Sequence, residues 1–295
     1  MNETYWGSVR FFRHLYTTVF VVILFLPVLA VIWFWQVSIA APRSTVQIEK
    51  DRKFQAVMER TATDAFPYQK KYPGLFAGLP AKRTVAANTV YLTFDDGPSP
   101  LTEKILDVLK HYRIKATFFV VGRCLESAAG QETARRILRE GHSIGIHSDT
   151  HHYRKIYASV DNWLDDFAAV EKKLVDITGV RPTIFRFPGG SINVYNAHLY
   201  QELIAEMTRR GYVYFDWNIS NGDALGLSAR AETLVANVVS RQPDNSRTVV
   251  LMHDSASKTE TLKALPRIIE HYRTQGLSFG RLSNDVWPVT FGYRS

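Results

Sequence analysis

Cysteine is nearly absent from this chain. The single Cys124 among 295 residues cannot make an internal disulfide or a cysteine-based zinc cage, so neither a disulfide-stapled scaffold nor a zinc finger is available within one chain. No internal repeat or low-complexity tract is present, and no basic, aromatic cluster marks a nucleic-acid surface, so no nucleic-acid partner is expected. Acidic residues are in deficit. Against 36 Lys and Arg there are 28 Asp and Glu, and the net charge of +8 suits an anionic surface such as a cell wall or acidic lipid. The hydrophobic and charged fractions, 46% and 22%, are ordinary and exclude a disordered or collagenous chain.

The mean hydropathy of −0.13 conceals one exceptional segment. Residues 15–37 carry no charge, and as a helix they extend roughly 35 Å, enough to cross a hydrocarbon core of about 30 Å. Tyr5, Trp6 and Tyr16 precede or open the run, Trp33 and Trp35 close it, and Arg10 and Arg13 lie just before it. The segment reads as a transmembrane signal anchor behind a cytoplasmic stretch of residues 1–14. Cleavage after Ser38-Ile39-Ala40 is the competing reading, but the run exceeds the roughly 7–15 apolar residues of a signal-peptide core. Residues 38–84, interrupted by Pro67, Pro73, Gly74, Gly78 and Pro80, read as a stalk.

From residue 85 to 295 short apolar strands alternate with amphipathic helices. The expected strands cover 90–94, 116–121, 143–147, 184–187, 213–217, 248–252 and 278–282. Helices are expected over 101–112, 131–140, 160–178, 196–210, 230–241 and 259–275. Such alternation implies an α/β fold with a parallel sheet, open or closed as a (β/α) barrel, whose functional groups sit at the carboxyl ends of the strands.

Unusual residues gather at those ends. The first strand runs into Thr93-Phe94-Asp95-Asp96-Gly97-Pro98, the third into His147-Ser148-Asp149-Thr150-His151, and the fourth into Arg186-Phe187-Pro188-Gly189-Gly190. The fifth leads to Asp216 and Asp223, and the sixth to Leu251-Met252-His253-Asp254. Two imidazoles four residues apart plus one carboxylate make a three-ligand site that suits zinc, with cobalt, nickel or iron as alternatives. Adjacent aspartates project differently, so one can bind a metal while the other accepts a proton from water. An imidazole is the natural acid for a departing amine. His142 lies too far from His147 along the strand to share a metal, Asp254 is read as a cap of the helix that follows it, and Cys124 as a packing residue.

This ordered set resembles the polysaccharide deacetylases of the NodB-homology type, carbohydrate esterase family 4, over about residues 85–285. The resemblance implies a distorted (β/α) barrel, here preceded by one transmembrane helix. It implies that Asp96, His147 and His151 bind the metal, Asp95 is the general base and His253 the general acid. Arg186 would orient Asp95, and Asp223 would orient His253. Leu251 would line the pocket for the acetyl methyl, Thr150 would support the histidine-bearing turn, and the backbone N–H of Gly189 would help hold the oxyanion. The chain departs from the family where Gly189 replaces a common aromatic residue, where Ser220 and Ala224 stand in the fourth motif, and where His152, read as a residue behind the ligands or in solvent, replaces proline. The groove is therefore expected to be lined differently. The implied activity is metal-dependent removal of N-acetyl groups from a cell-envelope polysaccharide, foremost peptidoglycan N-acetylglucosamine. Other N- or O-acetylated glycans (chitooligosaccharide, poly-N-acetylglucosamine, xylan) are the near alternative, and a non-catalytic wall-binding barrel the distant one. The expected location is the cell membrane, with the catalytic domain outside the cytoplasm, and no protein partner is implied.

Overall fold

The structure is a computed structural model, and it describes residues 66–78, 82–84, 87–225, 229–241 and 247–292. The anchor over 15–37, the cytoplasmic stretch before it and the stalk up to residue 65 lie outside the described residues.

Eight parallel strands form one sheet: β1 (Thr89–Asp95), β2 (Thr117–Val121), β3 (Ser143–Ser148), β4 (Ile184–Phe185), β5 (Val213–Tyr214), β6 (Ile219–Ser220), β7 (Thr248–His253) and β8 (Ser278–Gly280). Their order is β5-β4-β3-β2-β1-β7-β6, and β8 pairs with the first half of β1 below β2. Among the described residues no ladder joins β5 to β6, so the barrel is open. The helices are α1 (Pro100–His111), α2 (Ala128–Arg139), α3 (Tyr153–Ile156), α4 (Val160–Thr178), α5 (Tyr200–Arg209), α6 (Ala231–Val239) and α7 (Thr259–Thr274). Local sequence sets several of their starts: the hydroxyls of Ser99, Ser127 and Ser159 each accept an N–H of the first turn of α1, α2 and α4. Gly179, at φ +70°, ends α4 in the left-handed conformation.

Strand alternation divides the core and also builds the site. Val90, Leu92 and Phe94 of β1 point outward into the main cluster beneath the helices, whereas Tyr91 joins a smaller inner cluster with Phe119, Ile184, Val213, Phe215 and Val249. Further along these strands the inward positions turn largely polar. Tyr91 is followed by Thr93 and Asp95, Val249 by Leu251 and His253, Gly145 by His147, and Ile184 by Arg186. The barrel is thus apolar at the bottom and chemically loaded at the carboxyl rim.

Two expectations change. The run 213–217 is not one strand, because the buried Arg186 guanidinium takes the carbonyls of Phe215 (2.9 Å) and Asp216 (3.1 Å), which ends the ladder. The chain then re-enters the sheet as the short β6 beside β7, while Val289 and Phe291 of the C-terminal segment bond to Asp216 between them. The second change concerns the stalk: its described residues 66–78 pack on the barrel rather than standing apart from it. Leu75 is buried, and the buried Arg210 donates to the carbonyls of Tyr68, Lys71, Tyr72 and Leu75. One folded unit accordingly runs from Phe66 to Ser295.

Candidate active site

Asp95 closes β1 and Asp96 begins the turn after it. Asp96 adopts φ +75° and His151 φ +55°, left-handed conformations that cost a non-glycine residue about 1–2 kcal/mol, so two of the three candidate ligands sit on strained backbone. Other groups hold that strain in place. In the first turn, Ser99 donates its hydroxyl to the Asp254 carbonyl (2.5 Å) and Thr102 donates to Asp254 Oδ2 (2.5 Å), and the Asp254 N–H bonds the Asp95 carbonyl. Asp254 therefore braces the β1 turn and does not cap the helix that follows it. A Cβ on Gly97 would lie 2.1 Å from this carboxylate, which is why only glycine fits there.

The second strained turn is organised by Asp166 of α4, which sequence reading passed over. Its Oδ2 accepts from the Ser148 hydroxyl (2.6 Å) and the Asp149 N–H (2.7 Å), and its Oδ1 from the Thr150 N–H (2.9 Å) and hydroxyl (2.7 Å). Ser148 in turn accepts the N–H of His151 (2.8 Å). Thr150 does support the histidine-bearing turn, but through a buried aspartate 16 residues away. Asp166→Ala strips a partner from four donors and is expected to cost about 2–4 kcal/mol, with Asp166→Asn intermediate. Thermal melts of both variants check this, and equal melting temperatures for Ala variant and parent would refute it.

These turns bring Asp96 Oδ1 to 3.1 Å from His151 Nε2 and 3.5 Å from His147 Nε2, a group whose ligand atoms all fall within 4.8 Å of one another. His147 places Nδ1 2.9 Å from the Arg186 carbonyl. A carbonyl only accepts, so Nδ1 carries the proton and Nε2 turns a lone pair toward Asp96. Burial pushes the pKa of His147 down to about 3 and lowers that of His151, which keeps both imidazoles neutral. Asp96 Oδ1 is buried and has no hydrogen-bond partner among the described residues. A lone pair aimed at a buried, unpartnered carboxylate oxygen is an arrangement that a cation satisfies, so the residues fit a divalent metal.

Two ion pairs flank this group. Arg186, fully buried, donates from Nη1 to Asp95 Oδ1 (2.9 Å) and to the Thr93 hydroxyl (2.7 Å), with its guanidinium over the Phe119 ring. Burial raises the pKa of Asp95 above the ordinary aspartate value and Arg186 pulls it back, leaving an oriented carboxylate that is a stronger base than a free one. On the adjoining strand, in register with Asp95, His253 donates from Nδ1 to Asp223 Oδ1 (2.7 Å), and Asp223 Oδ2 accepts the His253 N–H and the Thr261 hydroxyl. Burial would depress the His253 pKa, but the Asp223 carboxylate outweighs it and raises the imidazole to about 9. Leu251 lies two residues before His253 on the same face of β7 and is buried.

The fourth-strand loop completes the rim. Gly189 is exposed at φ +77°, and its N–H has no partner among the described residues. Asp216 pins this loop by accepting from the Ser191 N–H and hydroxyl. Of the remaining candidates, His142 accepts the Ala116 N–H as a structural group, His152 is exposed, and half-buried Cys124 packs with its Sγ 3.6 Å from the Asp96 carbonyl. A cleft of about 520 Å³ lies elsewhere, between residues 72–75 and α4, and holds none of these groups; chemistry rather than cavity size locates the site.

Similarity to known proteins assigns the family. The sequence profile described as polysaccharide deacetylase matches residues 82–208. A peptidoglycan-N-acetylglucosamine deacetylase of Bacillus cereus is 31% identical over 225 residues, covering 75% of this chain and 74% of that protein. The chain belongs to the polysaccharide deacetylase family. A second Bacillus cereus deacetylase of the same name is 28% identical over 276 residues, 92% of this chain and 94% of that protein. The catalytic domain of a peptidoglycan N-acetylglucosamine deacetylase from Eubacterium rectale superposes with a TM-score of 0.66 at 33% identity, covering 73% of this chain and 98% of that one. In this chain the ten residues that the resemblance assigned to the site lie at or just beyond the carboxyl ends of β1, β3, β4, β6 and β7.

Proposed function

We propose that this chain hydrolyses the N-acetyl groups of peptidoglycan N-acetylglucosamine at the rim formed by Asp95, Asp96, His147, His151 and His253. The observation that carries the reading is the pair of oriented acid–base groups, Asp95 on Arg186 and His253 on Asp223, set beside a three-ligand group. Asp96, His147 and His151 would hold a divalent cation, with zinc first among the candidates for this donor set and cobalt, nickel and iron as alternatives. Such an ion supplies Lewis acidity toward an acyl oxygen and toward water.

The chain's own residues supply the rest. Asp95, fixed by Arg186, takes the proton from the attacking water. The Gly189 N–H donates to the oxygen that gains charge in the tetrahedral transition state. Leu251 covers the acetyl methyl, and His253, kept cationic by Asp223, delivers a proton to the amine as the C–N bond breaks. Peptidoglycan is favoured because the relatives described above carry that substrate in their names, and because a net charge of +8 suits an anionic wall. The uncharged run 15–37 supports placing the enzyme on the membrane as a single-pass protein facing the wall. Acetate release from purified peptidoglycan, chitooligosaccharide, poly-N-acetylglucosamine and acetylxylan, with metal analysis of the same protein, tests the reading. Faster release from peptidoglycan is expected; release from acetylxylan alone would overturn the substrate, and none from any glycan would overturn the activity.

A further inference from the structure

Gly189 leaves a gap in the rim that another part of the chain fills. A Cβ at Gly189 would stand 2.9 Å from Cε1 of Tyr153 and 3.4 Å from its hydroxyl, so the Tyr153 ring lies directly against the glycine backbone. The same ring packs edge-on against the candidate ligand His151 (centroids 5.2 Å) and at a tilt against Tyr195 (5.0 Å). Tyr195 is 43% exposed and its neighbour Val194 86% exposed. The Tyr153 hydroxyl finds no hydrogen-bond partner among the described residues, although half-buried phenols ordinarily have one. We propose that Tyr153 and Tyr195 form an aromatic ledge that stacks on the pyranose ring next to the one being deacetylated, so that the enzyme grips its glycan as an oligomer. This rests on the deacetylase reading above.

The ledge is built rigidly, as a binding surface should be. Asn193 donates from Nδ2 to the carbonyls of Pro188 (3.1 Å) and Gly190 (3.0 Å), and its Oδ1 accepts the N–H of Tyr195 (2.8 Å) and Asn196 (3.2 Å). The loop bearing Tyr195 is thereby tied to the loop bearing Gly189, and the ring is presented with little conformational freedom to lose. A pyranose fits this ledge better than a peptide or an anion. Its C–H face is apolar and flat enough to lie on an aromatic ring, its rim of hydroxyls can engage the free phenol of Tyr153, and no cationic side chain belongs to the ledge. Continuity with His151 fixes which sugar it is: one adjoining the ring whose acetyl group reaches the ligand group.

The test uses the purified full chain carrying Asp95→Asn, which holds glycan without turning it over, titrated calorimetrically with the β-1,4-linked tetramer of N-acetylglucosamine. Adding Tyr195→Ala is expected to weaken binding about tenfold, or about 1.4 kcal/mol, whereas Tyr195→Phe, which keeps the ring, stays within about twofold. In the active chain, Tyr195→Ala lowers kcat/KM for the tetramer about ten times more than for a small acetyl ester that reaches only the ligand group. Equal affinities of the Ala variant and its parent, or equal losses for Ala and Phe, would overturn the ledge. A parent that binds the tetramer through Tyr195 yet releases no acetate would sink the deacetylase reading alone, and release indifferent to Tyr195 would sink the ledge alone.

Discussion

Asp95→Asn lowers acetate release about 10²- to 10⁴-fold, the range that a positioned general base contributes. Asparagine keeps the shape of the carboxylate and can still accept from Arg186 Nη1, now 2.9 Å from Oδ1, so the fold survives and the loss falls on kcat. His253→Ala is expected to lose a similar factor on amide substrates, and less on an ester whose leaving alkoxide needs no strong acid. The pH profile separates the two roles. Asp95 must be ionised, and since burial raises its pKa the acid limb of kcat/KM lies above the ordinary aspartate value. His253 must be protonated, and since burial is outweighed by Asp223 the alkaline limb lies near pH 9. Activity is therefore expected to fall as the pH rises through about 9. Asp223→Asn removes the carboxylate that contributes most to holding the proton and leaves burial opposed only by the charges of Asp95 and Asp96, so the alkaline limb moves down from about pH 9. An alkaline limb that stayed in place in Asp223→Asn would show that another group donates the proton.

Much of this was legible in the sequence because the chemistry is local to strand ends. Asp95, His147, Arg186 and His253 each follow a short apolar strand, and period-two alternation alone places them on the inner face above Tyr91, Ile184 and Val249. What stayed hidden depends on distant partners. Asp166 stands three residues after Trp163 and four before Val170, within the apolar stripe of α4, but only the packing of α4 beside β3 shows that it closes the His151 turn. The segment 66–78 has no periodicity because it docks largely through its carbonyls, which every residue possesses, onto Arg210, Arg181 and Arg209. The short β6 was invisible for a related reason: Arg186 ends β5 by taking two carbonyls, an event with no signature near residue 215. Gly189 was legible as a lost aromatic, while its replacement by Tyr153 was not, because the two positions share space and not sequence.

Removing divalent metal by chelation abolishes acetate release to below about 1% of the starting rate, and adding back zinc or cobalt restores it. The expectation follows from what surrounds Asp96 Oδ1. The oxygen is buried without a hydrogen-bond donor. Of its two imidazole neighbours, His147 has its only proton committed to the Arg186 carbonyl, and burial keeps both rings neutral. Among the described residues no donor reaches this oxygen, and a cation from solution is expected to take that place. Binding must then stabilise the fold by linkage, about 2.7 kcal/mol at a free metal concentration one hundred times Kd, which gives a readout independent of turnover. The melting temperature of the chelated parent is expected to rise on adding zinc. In Asp96→Asn, where a neutral amide replaces the charged ligand while Thr102, Asp254 and the rest of the β1 turn keep their bonds, the rise should shrink to near zero. His147→Ala should behave like Asp96→Asn in both activity and melting response, since its ring is the one whose tautomer the fold fixes. Full activity in metal-free protein, or a zinc-induced rise undiminished in Asp96→Asn, would mean that the three groups are brought together for some purpose other than holding a metal.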